Sequence, residues 1–122
     1  MRTKEFSLKA RIRSFRFAFD GARQFFRQEH NAWIHLAATI LVFGASWYYQ
    51  LSYSEFVLLL IVTGFVWTAE IFNTAIEKLA DFLYPQKHES VKYVKDLAAA
   101  AVLVAAVIAL VTGAIIFIPK IF

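Results

Sequence analysis

The chain has 122 residues, 60% of them hydrophobic, 17% aromatic and only 18% charged, with no cysteine and a formal net charge of +4. A water-soluble domain this small needs a charged coat over its large relative surface, so the composition excludes most soluble readings, and its 13 Phe, 3 Trp and 5 Tyr exclude disorder. Long uncharged stretches at 32–54, 56–69 and 97–118 point instead to an integral membrane protein of a single domain.

The N-terminal segment reads as an amphipathic helix over about residues 7–28. Phe15, Phe19, Ala22 and Phe26 recur at helical spacing while Arg13, Arg16, Arg23 and Arg27 take the remaining surface. Such a helix lies in the membrane interface and anchors on anionic lipids, a role compatible with a share in a site. The first span, about 32–50, is flanked by Trp33, Trp47, Tyr48 and Tyr49, whose rings suit the membrane–water boundaries. The second, about 55–80, has too short an apolar run on its own and must continue helically through Glu70, Asn73 and Glu77. The third, about 96–118, is rich in Ala, Val and Ile and stops at Pro119 and Lys120.

Charge sets the orientation. Arg2, Lys4, Lys9, Arg11, Arg13, Arg16, Arg23 and Arg27 precede the first span and Lys78, Lys87, Lys92 and Lys95 lie between the second and third, whereas the turn from Gln50 to Glu55 has neither Lys nor Arg. The N-terminus and second loop are therefore expected on the cytoplasmic side. The first 31 residues lack an apolar signal-peptide region and run directly into a span, so no cleavable signal is expected.

Chemistry concentrates around Glu70. Steps of three and four residues put Glu70, Asn73, Glu77 and Asp81 on one helix face. If the span enters the hydrocarbon at Phe56, Glu70 lies roughly 7 Å inside the cytoplasmic boundary, while Glu77 and Asp81 stand outside. A carboxylate at that depth is costly and functional by default, suited to act as a general base, although it can also simply bond a neighbouring helix. Asn73 has the same alternative, a buried amide serving packing.

Lys87, His88, Lys92, Lys95 and Asp96 cluster at the start of the third span; basic side chains and a helix N-terminus attract phosphate, and a positive-inside loop looks the same. Glu29, Asn31 and His35 fall near the cytoplasmic interface, where a lone Glu is usually solvated and a lone His usually packs. Acids at the boundary, a basic loop beside them and a proton acceptor just inside the lipid make a place where a magnesium nucleotide can meet a lipid alcohol. There is neither a Gly-rich phosphate loop nor a His/Cys zinc grouping, and no nucleic-acid partner is expected.

Four segments together resemble the small bacterial membrane lipid kinases, the prokaryotic diacylglycerol kinase and undecaprenol kinase family, over roughly residues 13–115. They are Arg13-Ser14-Phe15-Arg16-Phe17-Ala18-Phe19-Asp20-Gly21, Glu29-x-Asn31-x-x-x-His35, Glu70-Ile71-Phe72-Asn73-Thr74-Ala75-Ile76-Glu77-x-x-x-Asp81, and His88 followed by Lys92 and Lys95-Asp96-Leu97-Ala98-Ala99-Ala100-Ala101-Val102-Leu103. The third and fourth are highly specific. The resemblance implies an all-α fold with a surface helix and three transmembrane helices, a homotrimer with sites at subunit interfaces, and a multi-pass location in the bacterial cytoplasmic membrane.

It further implies ATP as co-substrate and Mg2+ as cofactor. Glu70 would be the catalytic base and contact the lipid, with Asn31 and His35 also at the lipid; Glu29 and Glu77 would hold the metal; and Asn73, His88, Lys95 and Asp96 would join them around ATP. Tyr93 and Ala10 stand where the enterobacterial diacylglycerol kinases carry Arg, with Lys92 and Arg11 or Arg13 nearby to supply charge. The Glu29-x-Asn31 and Lys92-x-x-Lys95-Asp96 pieces look more like the undecaprenol kinase branch, so undecaprenol is the expected acceptor and diacylglycerol the alternative. A proton-coupled multidrug-type exporter with one embedded Glu, or a noncatalytic membrane scaffold, are the rivals from other classes.

Overall fold

The computed structural model describes residues 6–122, and all regular structure among them is helical: α1 (Leu8–Gln28), α2 (His30–Tyr48), α3 (Tyr53–Leu83) and α4 (Glu89–Ile121). Arg2 and Lys4, counted above among the cytoplasmic cations, lie outside the described residues. The chain divides within α2 into two compact units, one ending at Leu36 and the other running Ala37–Phe122.

In the first unit, Ser7 caps α1 by accepting from the Ala10 amide at 3.3 Å, satisfying one of the orphan donors of a helix start. Phe15 and Phe19 are exposed along α1, as expected of rings that await a lipid interface. The helix ends at Glu29, whose extended backbone (φ −114°, ψ 116°) turns the chain, and α2 starts at the next residue. Trp33 staples this corner: its indole nitrogen donates to the Phe26 carbonyl at 2.9 Å and its ring meets the Phe26 ring edge-on at 5.3 Å.

In the second unit, α2 ends on a left-handed residue. The Gln50 amide donates to the Trp47 carbonyl and the Leu51 amide to the Ser46 carbonyl, the paired bonds of a Schellman stop, with Gln50 at φ 50° in the position that usually favours glycine. The next helix begins in a capping box: Ser52 Oγ accepts from the Glu55 amide at 3.2 Å while a Glu55 carboxylate oxygen accepts from the Ser52 amide at 2.9 Å.

From there α3 runs unbroken for 31 residues, so the continuation through Glu70, Asn73 and Glu77 predicted from the short apolar run is present. It packs against α4, where Ala98, Ala105 and Ile116 are buried; small residues such as the two alanines let two backbones approach. Lys120 on α4 sits 3.1 Å from the Glu55 carboxylate, joining the two helices at the end opposite the charged loop.

The helix outlasts the apolar run: α4 continues through Pro119 to Ile121. Proline in the last turn removes one backbone donor, but the chain closes the turn behind it with the Phe122 amide donating to the Ile118 carbonyl at 3.0 Å.

α3 and α4 are each long and apolar enough to cross a membrane, and most of their apolar surface is not covered by the chain, with Phe72 65% and Leu110 73% exposed. Burial of so little apolar surface cannot hold such helices in water, and lipid is the solvent that fits them. This is a membrane protein with an all-helical fold.

Candidate functional site

α3 carries the acids because steps of three and four residues along an α-helix return to the same face. Glu70 is buried, at 8% exposure, one of two buried polar residues among those described. One turn on, Asn73 is half-buried and donates from Nδ2 to a Glu77 carboxylate oxygen at 3.3 Å. This bond fixes the amide, since only the NH2 end can donate to a carboxylate. Its other end, Oδ1, is buried without a hydrogen-bond partner among the described residues. A buried acceptor left unpaired costs about 1–3 kcal/mol.

That pair is the test for a divalent cation. Among the described residues no three His, Asp or Glu side chains gather into a closed metal cluster. Magnesium bound with a nucleotide does not need one: it takes hard oxygens, commonly one or two carboxylates with phosphates and water filling the rest. The orphaned Asn73 Oδ1 next to the Glu77 carboxylate fits that donor set.

Toward the loop, the same helix reaches Asp81, one turn beyond Glu77 and about 16 Å along the axis from Glu70 at 1.5 Å per residue. Here α3 meets the start of α4. Lys95 Nζ lies 2.7 Å from an Asp81 carboxylate oxygen, and Lys92 Nζ lies 2.6 Å from an Asp96 carboxylate oxygen within α4. Its hydrogen bond to the Asp81 carboxylate holds the Lys95 ammonium's pKa above the ordinary value, against a smaller opposing effect of desolvation.

His88 is the N-cap of α4, its Nδ1 accepting from the Ser90 amide at 3.2 Å, so its ring proton is on Nε2. The Tyr84 ring lies 5.7 Å from the His88 ring. These residues line an open cleft of about 500 Å3 that includes Asp81, Tyr84, Lys87, His88, Lys92, Lys95 and Asp96. Three lysines among three carboxylates, Glu89 being the third, and an aromatic wall suit a nucleotide, whose phosphates bind cations and whose base is planar.

The structure thus brings together two groups of the residues singled out from the sequence: Glu70, Asn73 and Glu77 along α3, and His88, Lys95 and Asp96 around the cleft. Lys95 meets Asp81, which the sequence placed on the acidic stripe without a role; its spacing of four from Glu77 was the available signal. Glu29, Asn31 and His35 belong to the first unit. Glu29 is half-buried at the α1–α2 corner, and its carbonyl accepts from the Ala32 amide at 3.3 Å, placing a carboxylate at the N-terminus of α2 where the helix dipole favours it. Asn31 is exposed in the first turn of α2, and His35 is half-buried one turn further.

Comparison with known proteins converges on one family. Residues 16–117 match the profile of the prokaryotic diacylglycerol kinases. The chain is 36% identical over 109 residues to an undecaprenol kinase of Bacillus subtilis, covering 89% of each sequence. It is 34% identical over 107 residues to a diacylglycerol kinase of Synechocystis sp., covering 87% of this chain and 61% of that longer relative.

Proposed function

The chain belongs to the prokaryotic diacylglycerol kinase family of lipid kinases, and from that premise we propose that it transfers the γ-phosphoryl group of ATP to the hydroxyl of undecaprenol. The family sets aside the exporter and the scaffold: this is a phosphotransferase with an alcohol acceptor, acting on lipid and ATP. The observation that carries the proposal is the graded row on α3, a buried Glu70 followed by an Asn73–Glu77 pair with one oxygen unclaimed.

In the proposed reaction Glu70 accepts the proton of the lipid hydroxyl as its oxygen bonds to the γ-phosphorus. The bond from that phosphorus to the β–γ bridging oxygen breaks, and ADP leaves. Glu77 and the Asn73 Oδ1 would hold Mg2+, with Glu29 assigned as a further ligand by the family resemblance. When bound, the ion neutralises phosphate charge as it shifts toward the leaving oxygen. Lys95 turns from Asp81 toward the phosphates, and His88 and Asp96 border the nucleotide. Asn31 and His35 are assigned to the lipid. Most of the catalytic effect is positioning and electrostatics, with little covalent chemistry asked of the protein.

The proposed setting is the bacterial cytoplasmic membrane, with the N-terminus and the α3–α4 loop cytoplasmic. α2 joins α3 and α4 as a third span, and α1 lies in the interface. The whole acts as one lipid kinase domain with a surface helix at about 7–28 and spans at about 32–50, 55–80 and 96–118. A homotrimer is proposed because three spans from one chain can hardly enclose a site and because α3 and α4 leave broad apolar faces uncovered.

The deciding experiment gives purified protein in micelles magnesium ATP and either undecaprenol or diacylglycerol. Faster phosphorylation of undecaprenol supports the proposal; preference for diacylglycerol transfers the chain to the other acceptor, and phosphorylation of neither refutes both.

A further inference from the structure

Tryptophan prefers the two membrane interfaces, where its ring is buried and its N–H stays wet. Trp33 and Trp47 sit near the ends of the first apolar stretch, but Trp67 does not follow that pattern. It precedes Glu70 by three residues on α3, on the same side of the helix and about 4.5 Å nearer the bilayer centre. An indole N–H at that depth finds no water and must have a protein acceptor. Trp67 Nε1 donates to Thr39 Oγ1 on α2 at 2.9 Å, a contact between side chains 28 residues apart.

Phenylalanine or leucine would fill apolar space at position 67 without needing a polar partner. The hydrogen bond does something they cannot: it holds a large flat ring at one angle, reaching from α3 to α2. Both side chains are half-buried, so the ring is neither lost in a packed core nor free in lipid.

We propose that Trp67, locked by Thr39, is a specificity-determining residue for the lipid acceptor. A lipid whose hydroxyl reaches Glu70 must trail its hydrocarbon toward the bilayer centre, and one helical turn below Glu70 that path meets the pinned indole. An acceptor with a single chain passes along the ring. A diacylglycerol carries acyl chains on both of its other glycerol carbons and needs a wider passage, which the ring narrows. The inference rests on the reading of Glu70 as the carboxylate that receives the hydroxyl.

The test measures kcat/KM for diacylglycerol and for undecaprenol in the same micelles, together with the KM for ATP, in Trp67→Ala, Trp67→Phe and Thr39→Val. Deleting the ring should raise the ratio of diacylglycerol to undecaprenol about tenfold, the scale on which an apolar pocket discriminates by size. Thr39→Val, which frees the indole at nearly constant volume, and Trp67→Phe, which removes the hydrogen bond and trims the ring, should each raise it about threefold, with the KM for ATP unchanged. If Trp67→Ala does not fold, these two milder variants decide.

An unchanged ratio in variants that still turn over, or an equal slowing on both lipids, overturns the proposal, because a ring that merely braces two helices has no preference between acceptors. Glu70→Gln separates the two layers. Parental rates with that variant on both lipids would remove the reading beneath, whereas an inactive Glu70→Gln with an unmoved ratio removes only the role of Trp67.

Discussion

Lys95 and Asp81 meet at 2.7 Å across the mouth between α4 and α3, so the cation proposed for the phosphates is already engaged by an acid of its own chain. Both groups face solvent, and such pairs are weak enough to exchange partners. Asp81→Asn should therefore release Lys95 and lower the KM for ATP about two- to fivefold. Lys95→Met should lower kcat about a hundredfold, as expected for loss of a charge at the transferring phosphoryl group. Steady-state kinetics over a range of ATP concentrations checks both.

The same pair has a pH signature. Asp81 raises the Lys95 value above the ordinary 10.5. A group raised on folding contributes fully below its unfolded value and loses that contribution as pH rises through the folded one. Thermal unfolding of parent and Asp81→Asn should thus differ by a constant amount from neutrality to about pH 9, and the difference should vanish only in stronger alkali.

Glu70→Gln keeps the size and burial of the side chain and removes its basicity. It should lower kcat about 10²- to 10⁴-fold with little change in the KM for ATP, the range expected for loss of a general base. An equal rise in the KM for lipid with kcat intact would assign Glu70 to binding alone.

Asn73 should show a conflict between stability and activity. Asn73→Leu removes an unpaired buried oxygen, so the protein should gain about 1 kcal/mol toward thermal unfolding. The same change should raise the Mg2+ concentration needed for half-maximal rate and reduce the rate at saturation. A magnesium titration alongside a melting curve tests both halves.

Gln50 occupies a left-handed conformation at the end of α2. Glycine adopts it without a Cβ penalty, so Gln50→Gly should stabilise the protein by up to about 1 kcal/mol, and Gln50→Val should destabilise it. Neither should move the KM for ATP. Melting curves in detergent distinguish them.

The helices and the acidic row were legible because each is a local pattern. Phe15, Phe19 and the arginines around them mark α1, and the spacing of Glu70, Asn73, Glu77 and Asp81 requires one unbroken helix. The capping of α4 by His88 was not legible, since a histidine before Glu89 is an uncommon cap. The Trp67–Thr39 and Lys95–Asp81 contacts join helices across intervals with no local periodicity. A tryptophan away from either interface was nevertheless a readable sign that position 67 needed a partner. Pro119 marks the end of the apolar run without ending the helix, because a proline in the final turn disturbs little of the helix before it.

α3 is about 46 Å long at 1.5 Å per residue, against a hydrocarbon thickness of about 30 Å. Its first turn is fastened by the Ser52–Glu55 capping box and by Lys120. In the proposed topology, a mismatch with the surrounding bilayer therefore shifts the depth of Glu70, which lies about 26 Å along the helix from Tyr53. The enzyme is in effect a ruler: thinning the membrane brings Glu70 toward the headgroups and thickening it draws Glu70 below them, so acyl-chain length in the host lipids should tune phosphorylation even when neither substrate nor protein changes.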